Sequence, residues 1–435
     1  MSGRGAASRV LAARVLDAVL HHGRSLKGEL AQALPTLADP RDRALVEAVC
    51  FGVLRQHARY RDALAAWIAK PLPRRDEPLR ALLYVGFAQL DALGLAPHAA
   101  VASTVEATRM MGRTHQVALV NALLRRAQRE GLPPCDGAAQ WPDWLRGRVV
   151  ADWPDEADDI FVASTLPGPL WLRVNRARGT VDAYRARLQE AGIAATTEDG
   201  LPDALRVDAP VPVSALPGFD DGDVSVQDGA AQGVADALAP PPGGRLLDAC
   251  AAPGGKSAHL LERDPTLRLT ALDADPARLA RVCQTLARVG LGTGARLHVA
   301  DAASATDWWD GMPYDAILVD APCSGTGIVR RQPDVLLHRR PGDIDALVDL
   351  QSRLLDALWP TLRPGGVLVY ATCSILKVEN DAQVAAFLAR TPDARVEAVP
   401  SFGGRAAGPG WQRLPGERGM DGFFVARLVK ATPQP

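Results

Sequence analysis

Val10, Leu11, Val15, Val19 and Leu20 recur at the spacing of one helical face near the start of the chain. Leu79, Leu82, Leu83, Phe87 and Leu90 make a second stripe, and Val117, Leu119, Val120, Leu123 and Leu124 a third. Turn residues in EGLPPCDG (130–137) end this pattern, so 1–135 reads as an all-α domain. The stretch 138–159 then reads as a short helix between Trp-Pro breaks. LWLRVN (170–175) alternates like a strand, VDAYRARLQEAG (181–192) returns to helical spacing with a Gly stop, and ALRVD and VSVQD add short strands. Strand–helix–strand–strand predicts a small α+β, ferredoxin-like module over 136–235.

From 236 to 435 strands alternate with helices. GRLLDAC, LRLTALDAD, ARLHVADA, YDAILVDAPC and GGVLVYATCS read as buried strands; AAPGGKSAHLLER, PARLARVCQTLARVG and DALVDLQSRLLDALWPTL supply the helices. That alternation predicts an α/β, Rossmann-like domain with a parallel, doubly wound sheet. Such sheets take ligands beyond the C-terminal ends of their strands.

Apolar residues make up 47% of the chain and charged residues 23%, which is ordinary for a globular protein. No apolar run approaches the roughly 18 residues of a membrane span. Arg9, Arg14 and Asp17 interrupt the first apolar stripe, so an amphipathic helix is expected rather than a signal peptide, and a cytoplasmic protein with no membrane partner. The six cysteines (50, 135, 250, 283, 323 and 373) contain no closely spaced pair, and neither a disulfide framework nor a metal site is expected. The near-zero net charge of −1 hides an asymmetry. Residues 1–135 hold 19 Lys and Arg against 11 Asp and Glu, giving +8, and the remainder carries −9. With Arg125 and Arg126 at the end of the third stripe, Arg173 and Arg176 around the first strand, and Arg330 and Arg331 downstream, this points to a polyanion such as RNA.

The chemistry gathers at predicted strand ends. LLDACAAPGGKS (246–257) runs from a strand-end acid through a Gly-rich turn into a helix. It is not a phosphate-cradling P-loop, because Cys250 occupies the position of that motif's first glycine, nor is it GxGxxG. Asp273 follows the next strand, where an acid commonly binds a ribose diol, and Asp301 follows the third. Acids over a glycine turn suit a nucleoside without phosphates, and S-adenosylmethionine fits. Cys323 and Cys373 each lie just past an apolar strand on this same edge, where core packing and catalysis are the two readings. A methyl donor gives thiols a purpose. Carbon 5 of a pyrimidine is a poor nucleophile until a thiolate adds to carbon 6, and a cation such as Lys256 favours the thiolate. Asp320 is placed to hydrogen-bond the cytosine edge.

DACAAPGGK, DAPCSGTG and ATCSI, in this order, resemble the RNA 5-methylcytosine methyltransferases over residues 236–430, including the closing DGFFVARL. The resemblance implies that Cys373 is the nucleophile and Cys323 assists product release. It also implies a donor site at Cys250, Ala251, Ala252, Pro253, Gly254, Gly255 and Lys256 with Asp273, Asp301 and Asp320. The helical domain ending in NALLRRA (121–127) resembles the NusB-like RNA-binding domain of the RsmB subfamily, and WLRVN and VSVQDGAAQ match its middle segment. This likeness implies a monomeric enzyme acting on 16S ribosomal RNA, naked or in an early assembly intermediate, at cytosine 967. A non-catalytic RNA-binding assembly factor, a 5-methylcytosine enzyme acting on another RNA and a small-molecule methyltransferase are the alternatives. One departure stands out: after RRQPD (330–334) the family often carries a Lys-Trp pair, where this chain has Leu336 and Leu337.

Overall fold

Each of the three apolar stripes forms one helix: Ser2–His22, Glu77–Leu90 and Val117–Glu130. With Pro40–Arg55 and Pro97–Met110 they enclose a core that includes Leu16, Val19, Val53, Tyr60, Leu82, Phe87 and Leu124. Complete burial of each such side chain is worth about 1.5–3 kcal/mol. The computed structural model describes residues 2–399 and 403–432. Met1, residues 400–402 and the last three residues, which the outer sequence domains include, lie outside the described residues.

The chain divides into two compact units, 1–167 with 329–339, and 168–328 with 340–435. The first unit continues past residue 135. The short helix expected between the two Trp-Pro breaks is Asp143–Asp152, which ends before Trp153-Pro154 because proline has no N–H to continue a helix; a further helix that the sequence reading did not expect, Ala157–Thr165, follows. Trp141 ties them together: its indole N–H donates to Ser164 Oγ at 3.0 Å and its ring meets Phe161 edge-on. The excursion 329–339 joins the same unit. Leu26 N–H donates to Asp334 Oδ2 at 3.0 Å, and Arg55 Nε donates to the Arg330 carbonyl at 2.8 Å.

The second unit holds two sheets. The small one has β1 (Leu170–Val174), β2 (Thr196–Glu198), β3 (Leu201–Val207) and β4 (Val224–Val226). Its order is β2-β3-β1-β4, all antiparallel. Helix Val181–Glu190, capped by the Thr180 hydroxyl, packs Tyr184 and Leu188 into a core with Leu172 and Leu205. β2 carries no apolar alternation in its sequence and was not legible there.

The large sheet contains β5 (Arg245–Asp248), β6 (Arg268–Asp273), β7 (Arg296–Val299), β8 (Tyr314–Asp320) and β9 (Leu362–Thr372), parallel in the order β9-β8-β5-β6-β7. Adjacent residues such as Leu246 and Leu247, or Leu368 and Val369, serve opposite faces, which is why these strands read as unbroken apolar runs. The sheet is mixed rather than wholly parallel. β10 (Ala394–Glu397), β11 (Arg405–Ala407), β12 (Gly410–Arg413) and β13 (Phe423–Lys430) add antiparallel partners, with β13 on β9. The links 408–409 and 414–422 are too short for the crossover a parallel strand needs. Strand order turns outward in both directions from β5 and β8, so the ligand crevice expected of a doubly wound sheet lies at their C-terminal ends. Among the described residues no helix is long and apolar enough to cross a membrane.

Candidate active site

β5 delivers Asp248 to the crevice, and the chain turns through 249–254 into helix Gly255–Arg263. Gly254 makes the turn at φ +95°, where a Cβ would also sit 3.0 Å from Val282 Cα, so both conformation and space call for glycine. Asp248 is buried. Its Oδ2 accepts the Ser257 hydroxyl at 2.5 Å, and its Oδ1 has no hydrogen-bond partner. Burial pushes this carboxyl up to about 7. Cys250 beside it is half-buried, and burial with the neighbouring acids pushes its thiol up.

Asp273 ends β6, largely buried, with Arg278 Nη2 3.3 Å from its Oδ2. Asp301 follows β7 and is exposed, its Oδ1 accepting the Ala303 N–H at 3.0 Å. Carboxylates past three successive strands, one with an unmatched buried oxygen, suit a ligand bearing an ammonium and sugar hydroxyls. The expected donor residues therefore fit S-adenosylmethionine, with Asp248 added, which the sequence marked only as a strand-end acid.

The thiols meet. Parallel pairing sets Asp320 of β8 level with Ala371 of β9, so the loops beyond them run side by side. Cys323 and Cys373, both half-buried and not joined in a disulfide, lie 3.4 Å apart at sulfur. The hydrogen bond to Cys373, reinforced by burial, pushes the Cys323 thiol well up, so Cys323 holds its proton. Lys256 Nζ lies 2.5 Å from Asp320 Oδ2 and 5.3 Å from the Phe423 ring centroid. Burial alone would pull its pKa down. The charge and hydrogen bond of Asp320, with Cys373 and Asp248 nearby, outweigh that and hold it above the ordinary lysine value. The lysine is a cation beside the Cys373 sulfur.

Beneath the thiols lies a group the sequence reading missed. Glu379 is fully buried and accepts hydrogen bonds from residues next to both cysteines, Ser324 and Ser374. In the sequence it is one acid in LKVEND, and nothing local connects it to position 323.

The arginines expected at RNA separate into two groups. Arg173 is fully buried: Nε and Nη2 grip Glu262 at 2.8 and 2.7 Å, and Nη1 donates to Gln227 Oε1 and the Gly255 carbonyl. It cannot reach a phosphate, and the expectation is corrected, because strand alternation turns this side chain inward. Arg330, in a turn at the start of the 329–339 excursion, is 4% exposed, and its expected RNA contact is corrected because the side chain is buried. Arg176 is about half exposed but bound to Asp203 at 2.6 Å. Arg125 is exposed, Arg331 half-buried, and Arg126 lies over the Trp67 ring while bonding Glu130. In the excursion, Leu336 is buried and Leu337 exposed on the short helix Val335–His338.

Known proteins match all three parts of the chain. Residues 235–429 match the family described as 16S rRNA methyltransferase RsmB/F, 141–214 the RsmF/B-like ferredoxin-like domain, and 6–129 the NusB family. The chain is 61% identical over 428 residues to ribosomal RNA small subunit methyltransferase B of Xanthomonas campestris pv. campestris, covering 98% of each chain. It is 44% identical to the protein of that name from Vibrio cholerae, covering 97% of each. Among solved structures, that of PH0851 shares the fold at TM-score 0.80 and 23% identity, over 97% of this chain and 99% of that one. NSun6 from Pyrococcus horikoshii with SFG matches at TM-score 0.61 and 21% identity, over 67% of this chain and 98% of that one. S-adenosylmethionine is the methyl donor of the matched family. A helical first part, a small antiparallel α+β sheet and a mixed α/β sheet with a donor crevice are all explained together: this chain belongs to the RsmB/F family of 16S rRNA methyltransferases.

Proposed function

We propose that this protein methylates carbon 5 of one cytosine in 16S ribosomal RNA through a covalent adduct on Cys373. The observation that carries this is the pair of thiols 3.4 Å apart on the ligand edge of the sheet, beside the Lys256–Asp320 pair. When bound, S-adenosylmethionine supplies an electrophilic methyl group. Asp248, the turn 250–255 and Asp273 would hold it. Lys256 gives the Cys373 sulfur a cation against which to carry charge. Cys373 bonds to carbon 6 of the base, pushing electron density onto carbon 5, which then takes the methyl group. Transfer of the carbon-5 proton to water reforms the ring double bond, breaks the bond between sulfur and carbon 6, and returns its electron pair to the Cys373 sulfur. Cys323 keeps its own proton at the start and stands where it can exchange one with that sulfur as it leaves. Asp320 faces the base edge. The target cytosine must leave its stack, at a cost of about a few kcal/mol. Arg125, Arg126, Arg176 and Arg331 are the candidates for phosphate contact.

Methyl transfer to naked 16S RNA by two alanine variants tests this. Cys373→Ala is expected to lose turnover and form no adduct. Cys323→Ala is expected to accumulate a protein–RNA complex that survives a denaturing gel. Adduct accumulation in Cys373→Ala instead would reverse the two roles.

A further inference from the structure

A carboxylate lies completely buried below the thiols and takes no part in the chemistry above. Glu379 is 0% exposed. Its Oε1 accepts the Ser324 N–H at 2.8 Å and the Gln351 amide at 3.1 Å; its Oε2 accepts both the Ser324 and Ser374 hydroxyls at 2.5 Å. A buried carboxyl is costly unless its lone pairs are filled, and four donors fill these.

Where those donors come from is informative. Ser324 comes directly after Cys323 and Ser374 directly after Cys373, so one carboxyl closes onto the residue after each thiol, 50 positions apart in the chain. The protons fix the direction of the network. Both serine protons point at Oε2, so their oxygens are left as acceptors, and Thr326 Oγ1 stands 3.0 Å from one and 3.2 Å from the other. Thr326 in turn accepts the Ile375 N–H at 3.0 Å, and Gly327 N–H donates to the Cys373 carbonyl at 2.9 Å. The same Gln351 amide that reaches Glu379 also donates to the Pro322 carbonyl at 2.9 Å. A carboxylate accepts all four of these bonds at once. A glutamine side chain would either set its N–H₂ against the Ser324 N–H and the Gln351 amide, or force both serine hydroxyls to turn away and give up the bonds they donate.

We propose that Glu379 is a positioning residue, a carboxyl group that locks the Cys323 and Cys373 loops into one register and so sets the separation of the two sulfurs. This rests on the proposed role of those thiols in methyl transfer, but the geometry can be read independently of it. Displacement of a reacting group by about 1 Å can lower a rate on the order of a hundredfold.

The experiment uses the full chain, S-adenosylmethionine and naked 16S RNA, with Glu379→Gln and the milder Ser324→Ala, which keeps the backbone bond to Glu379. Two readouts are taken: kcat against the KM for S-adenosylmethionine, and the rate at which a mild oxidant joins Cys323 to Cys373, measured by mass. For Glu379→Gln, kcat is expected to fall at least about tenfold with the KM within about twofold, and the thiols to join several-fold more slowly. Ser324→Ala should shift both in the same direction by less. Should Glu379→Gln fail to fold, the Ser324→Ala values decide. Two outcomes overturn the proposal: kcat and joining rate both within about twofold of the parent, or cofactor KM weakened in step with kcat, which would mark a general structural role. If the joining rate slows but Cys373→Ala retains turnover, the positioning stands and the thiol mechanism is what fails.

Discussion

Two ion pairs in the sheet-bearing unit differ in what they leave open. Arg173 and Glu262 are 0% and 1% exposed, and the Arg173 donors end on Glu262, Gln227 and the Gly255 carbonyl. Lys256 and Asp320 are 15% and 28% exposed and sit at the C-terminal edge of the parallel strands, beside two thiols and near Asp248, which has an unmatched oxygen. Four hydrogen bonds tie Arg173 of the first pair to protein partners, and the pair braces the small sheet against the helix after the donor loop. The second keeps valences for something that is not protein. A charged pair thus reads as architecture or as chemistry according to where its remaining hydrogen bonds go, and charge alone does not distinguish them.

Removing one partner from each should separate stability from activity. The largest effect is expected from Arg173→Ala, which strands Glu262 in a site that already raises its pKa by burial. A loss of about 3–5 kcal/mol in unfolding free energy is expected by denaturant titration. Replacing both partners by well-packed apolar residues should recover most of that loss; if it does not, the pair is more than architecture. Lys256→Ala should do the opposite, lowering kcat/KM on the order of a hundredfold while moving the unfolding free energy by less than about 1 kcal/mol. Equal damage to stability and rate would collapse the distinction.

Asp248 offers a pH test on the open side. Burial raises its folded pKa to about 7, above the ordinary 3.8, so the folded state binds its proton more tightly than the unfolded state. Its contribution should therefore make stability fall as pH rises from about 4 to about 7 and level off above. Asp248→Asn should flatten that slope, as measured by unfolding at several pH values. The smallest change is expected from Arg125→Ala or Arg126→Ala. RNA binding should weaken only a few-fold, with the slope of log affinity against log salt shallower by about 1 for each phosphate no longer neutralised. An unchanged slope would show that neither residue meets phosphate.

Element type was largely legible because periodicity is local. Helical stripes around Leu82 and Leu123, and the apolar strands leading to Asp248, Asp320 and Cys373, announce themselves within a few residues. What stayed hidden depended on partners distant in sequence. β2 is held by β3 rather than by its own pattern, and the strands after residue 393 are antiparallel because of link length and neighbour. Arg173 and Arg176 look alike in the sequence, three residues apart, yet one is buried and the other about half exposed.

By itself the sequence determined the kinds of chemistry available: a glycine turn under strand-end acids, two thiols past apolar strands, a lysine after the turn. Those arise from residue type and short spacing, which a linear chain carries openly. Only the tertiary structure decided that the sulfurs of residues 323 and 373 meet at 3.4 Å, that Lys256 turns to Asp320, and that Glu379 lies beneath both thiol loops. These are consequences of β8 pairing with β9 and of the burial of Glu379 between the loops that follow them, and both exist only once distant segments are packed together.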